Sequence, residues 1–358
     1  MKWNSIDSPT YRKNKCDEEV KRPVRFISTA YGTQYIGFLL VTLFSIHKSN
    51  SESKMSVYWQ DMDEEHIKAL SDVLPEADFH ETNFDLAGDY VTRISSKVHL
   101  WERAVSEHPD TCLCLLDSDT LVLKNIDSFF ENEFDIGFTV KDEQFPINTG
   151  VVLVKNNNPL SLQFFAQWKR RTLEILSDKE SFKMANSIHY PYGGSDQMSF
   201  YQMIGYKRGV NEYEVVMGNS KLKLRAFSCS VLNETRSTQI TPDHHIIHYK
   251  GGWRNVLLKG ENFPKTRPRH DSREMYLLYL RTYCEAIELL KSHSRIGEKD
   301  FGIKIPFYVK YETFEENRFL YSLYYMKNIA KNAVLFLGVV LRGAYRRVNT
   351  GLRRPNAQ

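Results

Sequence analysis

The sequence has few cysteines, and none of them has the paired spacing of a structural zinc site. Their number is odd, and no two are arranged as Cys-x-x-Cys: Cys16, Cys112, Cys114, Cys229 and Cys284. Secreted domains held by disulfides typically have an even, clustered set, so this pattern favours a reduced, cytoplasmic chain without structural zinc. The glycosylation sequon at residues 233–235 is then expected to remain unmodified.

Strong charge and an apolar leader are also missing. The net charge is only +4 and is spread along the chain, so nothing in it indicates a nucleic-acid partner. The first 25 residues are polar and charged, which predicts neither a signal peptide nor an N-terminal anchor. A chain of 358 residues can bury a full core, as one large domain or as a domain with an appendage.

The one pronounced apolar run near the C-terminus, residues 333–341, is too short to cross a bilayer, which takes about 20 residues. Lysines and arginines flank it, and tyrosines lie close by. This composition suits attachment to the surface of an anionic membrane, which would make the protein peripheral on the cytoplasmic face. A core helix followed by a solvated basic tail explains the run equally well.

Apolar periodicity predicts alternating strands and helices over about residues 24–155. We expect strands at 25–30, 55–59, 111–116, 136–140 and 150–154, and helices at 35–46, 63–74, 91–105 and, beginning at Pro159, to about 176. This order predicts an α/β sheet of the nucleotide-binding kind.

The pattern changes further along the chain. Prolines and arginines mark a boundary near residue 265, and helical patterns dominate after it. We therefore expect three parts: a polar N-terminal segment (1–23), an α/β domain (24–264) and a helical C-terminal region with a basic end (265–358).

The predicted strand at 111–116 ends in Asp117, Ser118 and Asp119. Ligands of α/β sheets bind at the carboxyl ends of the strands. Alternation of side chains would place both carboxylates on the same side, where they could share one divalent cation. Oxygen ligands suit magnesium or manganese, and substrate phosphates commonly complete the shell. The alternative is an acidic turn that simply closes a strand.

Three further segments follow the Asp-x-Asp pair. They read Phe-Pro-Ile-Asn-Thr-Gly-Val-Val at 145–152, Tyr-Gly-Gly-Ser-Asp-Gln at 192–197 and Ile-His-Tyr-Lys-Gly-Gly-Trp-Arg at 247–254. In this order the chain resembles retaining glycosyltransferases of the GT-A fold and is similar to glycosyltransferase family 8, over roughly residues 24–260. The resemblance implies an α/β GT-A fold, with a Rossmann-like nucleotide-binding sheet and a mostly helical C-terminal extension.

The resemblance also implies a metal site. Asp117 and Asp119 would hold the ion, normally Mn²⁺ with Mg²⁺ as the alternative, and His248 would be the third ligand. Carboxylates and a neutral imidazole are a suitable mixed set for manganese. On its own, His248 would be read as an ordinary surface or packed histidine; the surrounding His-x-Lys-Gly-x-Trp context favours the ligand.

The resemblance further implies a set of contacts to a UDP-sugar donor. Ala30 and Tyr31 would contact the base, although the acidic residue that typically precedes this tyrosine in the family is missing. Lys97 would contact phosphate or sugar. The order of cations near residue 250 departs from the family pattern, so either of two cations could contact the diphosphate. The remaining predicted donor contacts are Asp117, Ser118, Asn148, Thr149, Lys250, Gly251 and Arg254.

Asp196 and Gln197 match the acceptor side of the family, where the aspartate binds sugar hydroxyls and the glutamine lies near the reacting anomeric carbon. Since an amide is a poor nucleophile, we favour front-face attack over a covalent intermediate. The expected reaction moves glucose or galactose to a glycan or glycolipid, as in polysaccharide biosynthesis. Two alternatives are a haloacid-dehalogenase-type phosphatase, disfavoured by Leu121 and by the strands that precede the pair, and an inactive nucleotide-sugar-binding protein.

Overall fold

The computed structural model of the protein describes residues 24–83, 94–235, 237, 239–259, 273–293 and 301–303. The polar N-terminal segment (1–23) and the apolar run at 333–341 lie outside these residues, as does the start of the helix expected at 91–105. Among the described residues, no helix is long and apolar enough to cross a membrane.

The first part of the chain alternates strands with helices. Parallel strands alternate with amphipathic or buried helices, in the order β1 (Val24–Tyr31), α1 (Ile36–Ser49), β2 (Lys54–Gln60), α2 (Glu64–Val73) and β3 (Ala77–Glu81). A short 3₁₀ turn, Thr33–Tyr35, joins β1 to α1. The predicted strands and helices here are confirmed, whereas β3 was missed.

The middle of the chain contributes the strands around the acidic pair. After α3 (Lys97–Glu107) come β4 (Cys112–Asp117), β5 (Thr120–Val122), a 3₁₀ helix (Asp127–Glu131), β6 (Ile136–Val140) and β7 (Ile147–Lys155). The expectation that residues 145–149 form a connection between two strands was wrong, because β7 begins at Ile147. A shift in the β6–β7 pairing after Phe138 lets Asn148 pair with Thr139 inside the sheet.

The rest of the described chain mixes helices with a hairpin. It contains α4 (Pro159–Ser177), α5 (Lys179–Ala185), α6 (Ser195–Ile204), β8 (Glu212–Met217), β9 (Ser220–Ser228), α7 (Cys229–Leu232), β10 (Ile246–His248), α8 (Gly252–Lys259) and α9 (Arg273–His293). Asn158 caps α4 by accepting a hydrogen bond from Leu160 N, and Pro159 occupies its first turn.

The main sheet has eight strands in the order β3-β2-β1-β4-β7-β6-β9-β8, with helices packed on it. Strands β1 to β4 run parallel to one another where they pair, whereas β7 is antiparallel to β4. The predicted α/β class is confirmed. Because β7 is reversed, its first residues lie at the same sheet edge as the last residue of β4.

A separate two-stranded ribbon completes this edge. Strand β10 pairs antiparallel with β5, and His248 lies opposite Thr120. Thr120 immediately follows Asp119, so this pairing carries a histidine from far along the chain to the acidic pair. The backbone N–H of Tyr249 then donates to Asp119 O at 2.8 Å, which continues the ribbon past its last pair.

The apolar core lies on both faces of the sheet. One cluster contains α1 and α9, so α9, which belongs to the region expected as a C-terminal extension, packs with residues of the sheet domain. Phe38 of α1 contacts Tyr279 of α9 with ring centroids 5.8 Å apart. Trp101 and Trp168 are fully buried in the cluster on the other face.

Candidate metal and donor site

Asp117, Asp119 and His248 come together at the carboxyl edge of the sheet. Each offers one ligand atom, and these atoms all lie within 4.8 Å of one another. His248 Nε2 is 3.0 Å from Asp119 Oδ1 and 3.5 Å from Asp117 Oδ2. The predicted trio is therefore assembled, by the turn after β4 and by the β5–β10 ribbon.

The imidazole of His248 is fixed by a hydrogen bond at Nδ1, the ring nitrogen that does not face the carboxylates. Its Nδ1 lies 2.9 Å from Asn233 Oδ1; since an amide oxygen only accepts, Nδ1 carries the proton and donates. Nε2 then faces the carboxylates, and it is the ring nitrogen that a metal ion would use. Gly150 makes room for the ring, because a Cβ at this position would lie 2.4 Å from His248 Cε1 and Nδ1.

Asn233 is itself held by a hydrogen bond to β6, at the place where the pairing of β6 with β7 shifts. Its Nδ2 donates to Thr139 Oγ1 at 2.8 Å, and the Thr139 hydroxyl donates to Asn148 O at 2.6 Å. Asn148 Oδ1 accepts from Gly150 N at 3.1 Å. The Asn148 Nδ2 group is buried and has no hydrogen-bond partner within the described parts of the chain. A buried donor of this kind is costly unless a ligand pairs with it.

Asp119 is ionised in spite of its burial. Burial alone would raise its pKa, but the adjacent His248 and the Arg254 guanidinium outweigh that effect and hold the pKa at about 2. Arg254 Nε lies 3.1 Å from Asp119 Oδ2. Arg254 belongs to α8, so the first turn of this helix places a cation directly on the acidic pair.

Lys97 is buried rather than extended into solvent. Its side chain is 5% exposed, and Nζ lies 2.7 Å from Asp117 Oδ1. The ammonium also donates to Thr149 O at 3.1 Å and lies 3.7 Å from Asp196 Oδ2. It sits over the ring of Trp101, 4.6 Å from the centroid. One cation thereby connects a metal-ligand candidate to the predicted acceptor-side aspartate.

Asp196 and Gln197 differ sharply in exposure although they are neighbours. Asp196 is buried: Oδ2 accepts from Thr149 Oγ1 at 2.6 Å, Oδ1 from Ser95 Oγ at 3.4 Å, and its carbonyl from Trp168 Nε1 at 2.9 Å. Gln197 is half-buried, and its Nε2 donates to Gly193 O at 2.9 Å. The aspartate is thus fixed within the protein, and the amide lies at its surface.

A cavity of about 410 Å³ opens beside the trio. Of the predicted donor residues, Tyr31, Lys97, Asp117, Ser118 and Arg254 line it. The Tyr31 hydroxyl is buried with no hydrogen-bond partner among the described residues, and burial together with the Asp117 charge raises the pKa of this phenol. Further lining residues are Thr29, Gln34, Tyr35, Ile94 and Asp119.

The other predicted donor contacts are not among the residues that line this cavity. Ala30 is buried in β1, with 1% of its surface exposed, and Asn148 and Thr149 are buried in β7. Lys250 is half-buried, and burial, helped by the nearby Lys141, lowers its pKa to about 8.

Gly251 is exposed and has a φ of 64°, a left-handed conformation that favours glycine. It turns the chain directly from the ribbon into α8, and thereby positions the Arg254 side chain.

Two residues of the site were not found from the sequence. Asn233 had been noted only as a sequon, and it is fully buried, with its side chain committed to His248 and Thr139. Gly150 had been noted only as the first residue of a predicted strand and as part of the 145–152 segment. No local pattern identifies either role, because both depend on the distant strand β10.

No protein-family model matches the chain, and no curated protein matches it either. Solved structures do match. The glycosyltransferase GlyE of Streptococcus pneumoniae TIGR4 is 13% identical, with a TM-score of 0.49, over 75% of this chain and 63% of that one. The galactosyltransferase LgtC, solved with donor and acceptor sugar analogues, is 15% identical, with a TM-score of 0.47, over 76% and 98%.

The bifunctional glycosyltransferase WbbM is 11% identical, with a TM-score of 0.46, over 77% of this chain and 52% of that one. This chain therefore spans less than two thirds of GlyE and about half of WbbM. The similarity to all three is one of fold alone, and none of them shows what this chain binds.

Proposed function

We propose that the protein is a glycosyltransferase that moves glucose or galactose from a UDP-sugar to a hydroxyl of a glycan or glycolipid, with retention of anomeric configuration. One observation carries the proposal: the Asp117, Asp119 and His248 ligand atoms converge beside a cavity whose wall also presents Lys97 and Arg254. Metal ligands next to fixed cations are what a diphosphate leaving group requires.

The residues fit a divalent cation. His248 directs Nε2 toward the carboxylates because Nδ1 is hydrogen-bonded to Asn233, and Asp119 Oδ2 is buried beside the Arg254 guanidinium. Two carboxylates and an imidazole suit Mn²⁺, with Mg²⁺ as the alternative. When bound, such an ion supplies Lewis-acid stabilisation of the charge on a diphosphate.

The cations of the site would bind the donor. Arg254 and Lys250 would offset charge on the leaving diphosphate, and Gly251 allows the backbone to approach it. Tyr31 and the backbone of Ala30 would contact the base, which would give the unpaired phenol a partner. The unpaired Asn148 amide, next to Thr149, would face the donor sugar.

The acceptor would enter on the side of Asp196 and Gln197. In front-face transfer, the anomeric carbon–oxygen bond breaks, its electron pair goes to the diphosphate, and the acceptor oxygen bonds to the same face of the sugar. The proton of the acceptor hydroxyl passes to the departing diphosphate oxygen. Gln197 would position the anomeric centre without forming a covalent bond, since an amide is a weak nucleophile.

Thermal unfolding with UDP and Mn²⁺, together with hydrolysis of a panel of UDP-sugars, tests the proposal. We expect UDP with metal to raise the melting temperature and one donor to be hydrolysed in a metal-dependent way. No thermal shift, together with metal-dependent hydrolysis of a phosphate monoester, would replace the proposal with the phosphatase. A shift without hydrolysis or transfer for any donor would leave a nucleotide-sugar-binding protein.

We also propose that the protein is cytoplasmic and that residues 333–341, with their basic flanks, attach it to anionic membranes. Support comes from sequence alone: the apolar run is followed by Arg342, Arg346 and Arg347. Sedimentation with phosphatidylserine vesicles should be lost after deletion beyond residue 326 and reduced when these arginines become glutamine. A wild-type protein that never sediments would favour the core helix instead.

A further inference from the structure

An exposed apolar surface lies on the chain segment that leads into Gln197. It consists of Ile188, Tyr190 and Tyr192, which we call the tyrosine ledge. Ile188 is 71% exposed and Tyr190 is 44% exposed, whereas large apolar side chains are mostly buried in this protein. The ring planes of Tyr190 and Tyr192 are nearly parallel, at 9°, with centroids 6.2 Å apart.

The ledge is held in place from below. Tyr192 packs on the small cluster formed with Met198, and its ring meets the edge of Tyr201 at 5.2 Å and 84°. The Ile188 carbonyl accepts a hydrogen bond from Gln144 Nε2, which ties the ledge to the loop after β6. A fixed aromatic surface binds with little loss of side-chain entropy.

The ledge adjoins the predicted acceptor side. Tyr192 is followed by Gly193, whose carbonyl accepts from Gln197 Nε2 at 2.9 Å. Asp196, the neighbour of Gln197, reaches Lys97 at 3.7 Å, and Lys97 reaches Asp117 at 2.7 Å. The ledge is therefore connected, through Asp196 and Lys97, to the wall of the cavity.

The chemistry of the segment selects the kind of molecule. Residues 186–194 contain no Lys, Arg, Asp or Glu, which disfavours a membrane of anionic lipid, a nucleic acid or a charged peptide. The exposed side chains are aromatic, aliphatic and hydrogen-bonding, and include His189. Such a surface suits a neutral saccharide, whose C–H face stacks on an aromatic ring while its hydroxyls bind polar groups.

We infer that the tyrosine ledge is a binding subsite for the saccharide chain of the acceptor, one or more sugar units away from the reacting hydroxyl. The inference rests on the proposed function and deepens it: the acceptor would be an oligosaccharide rather than a single sugar or a bare lipid. Tyr190 would supply the stacking face, and the ledge would set preference for acceptor length.

Saturation-transfer NMR without donor or metal tests the ledge, with methyl β-glucoside, methyl β-galactoside, cellobiose, lactose and maltotriose as probes. We expect the wild-type protein to bind at least one of the longer saccharides. Tyr190→Ala should weaken this binding about five- to tenfold, which is what one aromatic contact contributes. Tyr190→Trp should retain it. Leu173→Ala, at an apolar residue of similar exposure (43%) on α4, should leave it unchanged.

The thermal shift with UDP and Mn²⁺, measured on the same variants, separates this inference from the proposed function. Equal saccharide binding by Tyr190→Ala and wild type, or no binding by a wild type that UDP and Mn²⁺ do stabilise, would overturn the ledge alone. Tyr190-dependent saccharide binding without any UDP effect would support the ledge and remove the proposed donor. If neither saccharide binding nor a UDP effect is observed, both the ledge and the proposed function are overturned.

Discussion

The side-chain oxygen of Asn233 lies 2.9 Å from Nδ1 of His248, and both residues are almost fully buried. This hydrogen bond holds the ring so that Nε2, rather than Nδ1, faces Asp117 and Asp119. A residue outside the Asp117–Asp119–His248 trio thus orients the ring that the proposed metal site needs.

Asn233→Ala should therefore lower affinity for Mn²⁺ by about 10- to 100-fold, the usual effect of losing a partner behind a metal-bound histidine. Isothermal titration with Mn²⁺ measures it. Asn157→Ala, at an exposed asparagine, is the matched control and should bind as the wild type does. If Asn233→Ala folds and binds Mn²⁺ with unchanged affinity, Asn233 does not orient the ligand.

Gly150→Ala should displace the imidazole of His248, because the added Cβ would lie 2.4 Å from ring atoms, well inside contact distance. We expect at least about a tenfold loss of Mn²⁺ affinity. Gly218→Ala is the control: it has a φ of 63° and open space, so alanine costs stability there without touching the site. Metal affinity lost equally in both variants would mean that general destabilisation, not the displaced ring, is responsible.

Asp119→Asn keeps the shape of the side chain and removes its charge. Metal-dependent hydrolysis of the UDP-sugar should disappear, and so should the thermal shift caused by Mn²⁺ with UDP, while the circular dichroism spectrum stays native. Asp243→Asn, at an exposed acid outside the trio, should retain both. Wild-type turnover in Asp119→Asn would refute the metal assignment.

Lys97→Met should destabilise the fold by about 3–5 kcal/mol, because it leaves the buried carboxylate of Asp196 and the half-buried carboxylate of Asp117 without their cation. Lys169→Met removes a cation of the same type, 31% exposed, from Glu102 at 2.8 Å, and should cost about 1 kcal/mol or less. Urea unfolding measures both. Equal losses would show that Lys97 is not an internal charge partner.

His99 should make the free energy of unfolding depend on pH. Burial, together with the nearby Lys169, lowers its pKa below the ordinary value of about 6.5. Between the two pKa values the unfolded chain binds more protons than the folded one, so the free energy of unfolding falls as pH drops below about 6.5. His99→Gln should flatten this part of the curve, and the exposed control His189→Gln should not. Urea unfolding between pH 7.5 and 5 measures this dependence. If the free energy of unfolding changes with pH equally in wild type and His99→Gln, the assignment is contradicted.

Most strands and helices up to α4 could be predicted because their apolar patterns are local. The Asp-x-Asp pair could be predicted as well, since β4 is an apolar run that ends at Asp117. Strand β3 was missed because it is an edge strand with a half-exposed, charged sequence, Ala-Asp-Phe-His-Glu. The hairpin β8–β9 has lysines and glutamates on its outer face and gives only a weak signal.

The parts of the site that escaped prediction are those made by pairing between distant segments. Gly150 matters because β10 brings His248 against it, and Asn233 matters because the same ring needs a partner. The placement of Lys97 also depends on such pairing: a lysine at the edge of an amphipathic helix usually reaches solvent. Here Asp117, Thr149 and Asp196 surround its ammonium, and no property of the helix alone reveals them.

Tyr249 connects the turn that carries Asp117 and Asp119 to the start of α9. Its backbone N–H holds Asp119 O at 2.8 Å, and its hydroxyl donates to Met275 O in the first turn of α9 at 2.7 Å. A shift of α9 along its axis would break the hydrogen bond between the Tyr249 hydroxyl and Met275 O. The beginning of α9 and the acidic turn are therefore joined through one residue, so the start of this helix helps to hold the backbone of Asp119 in place.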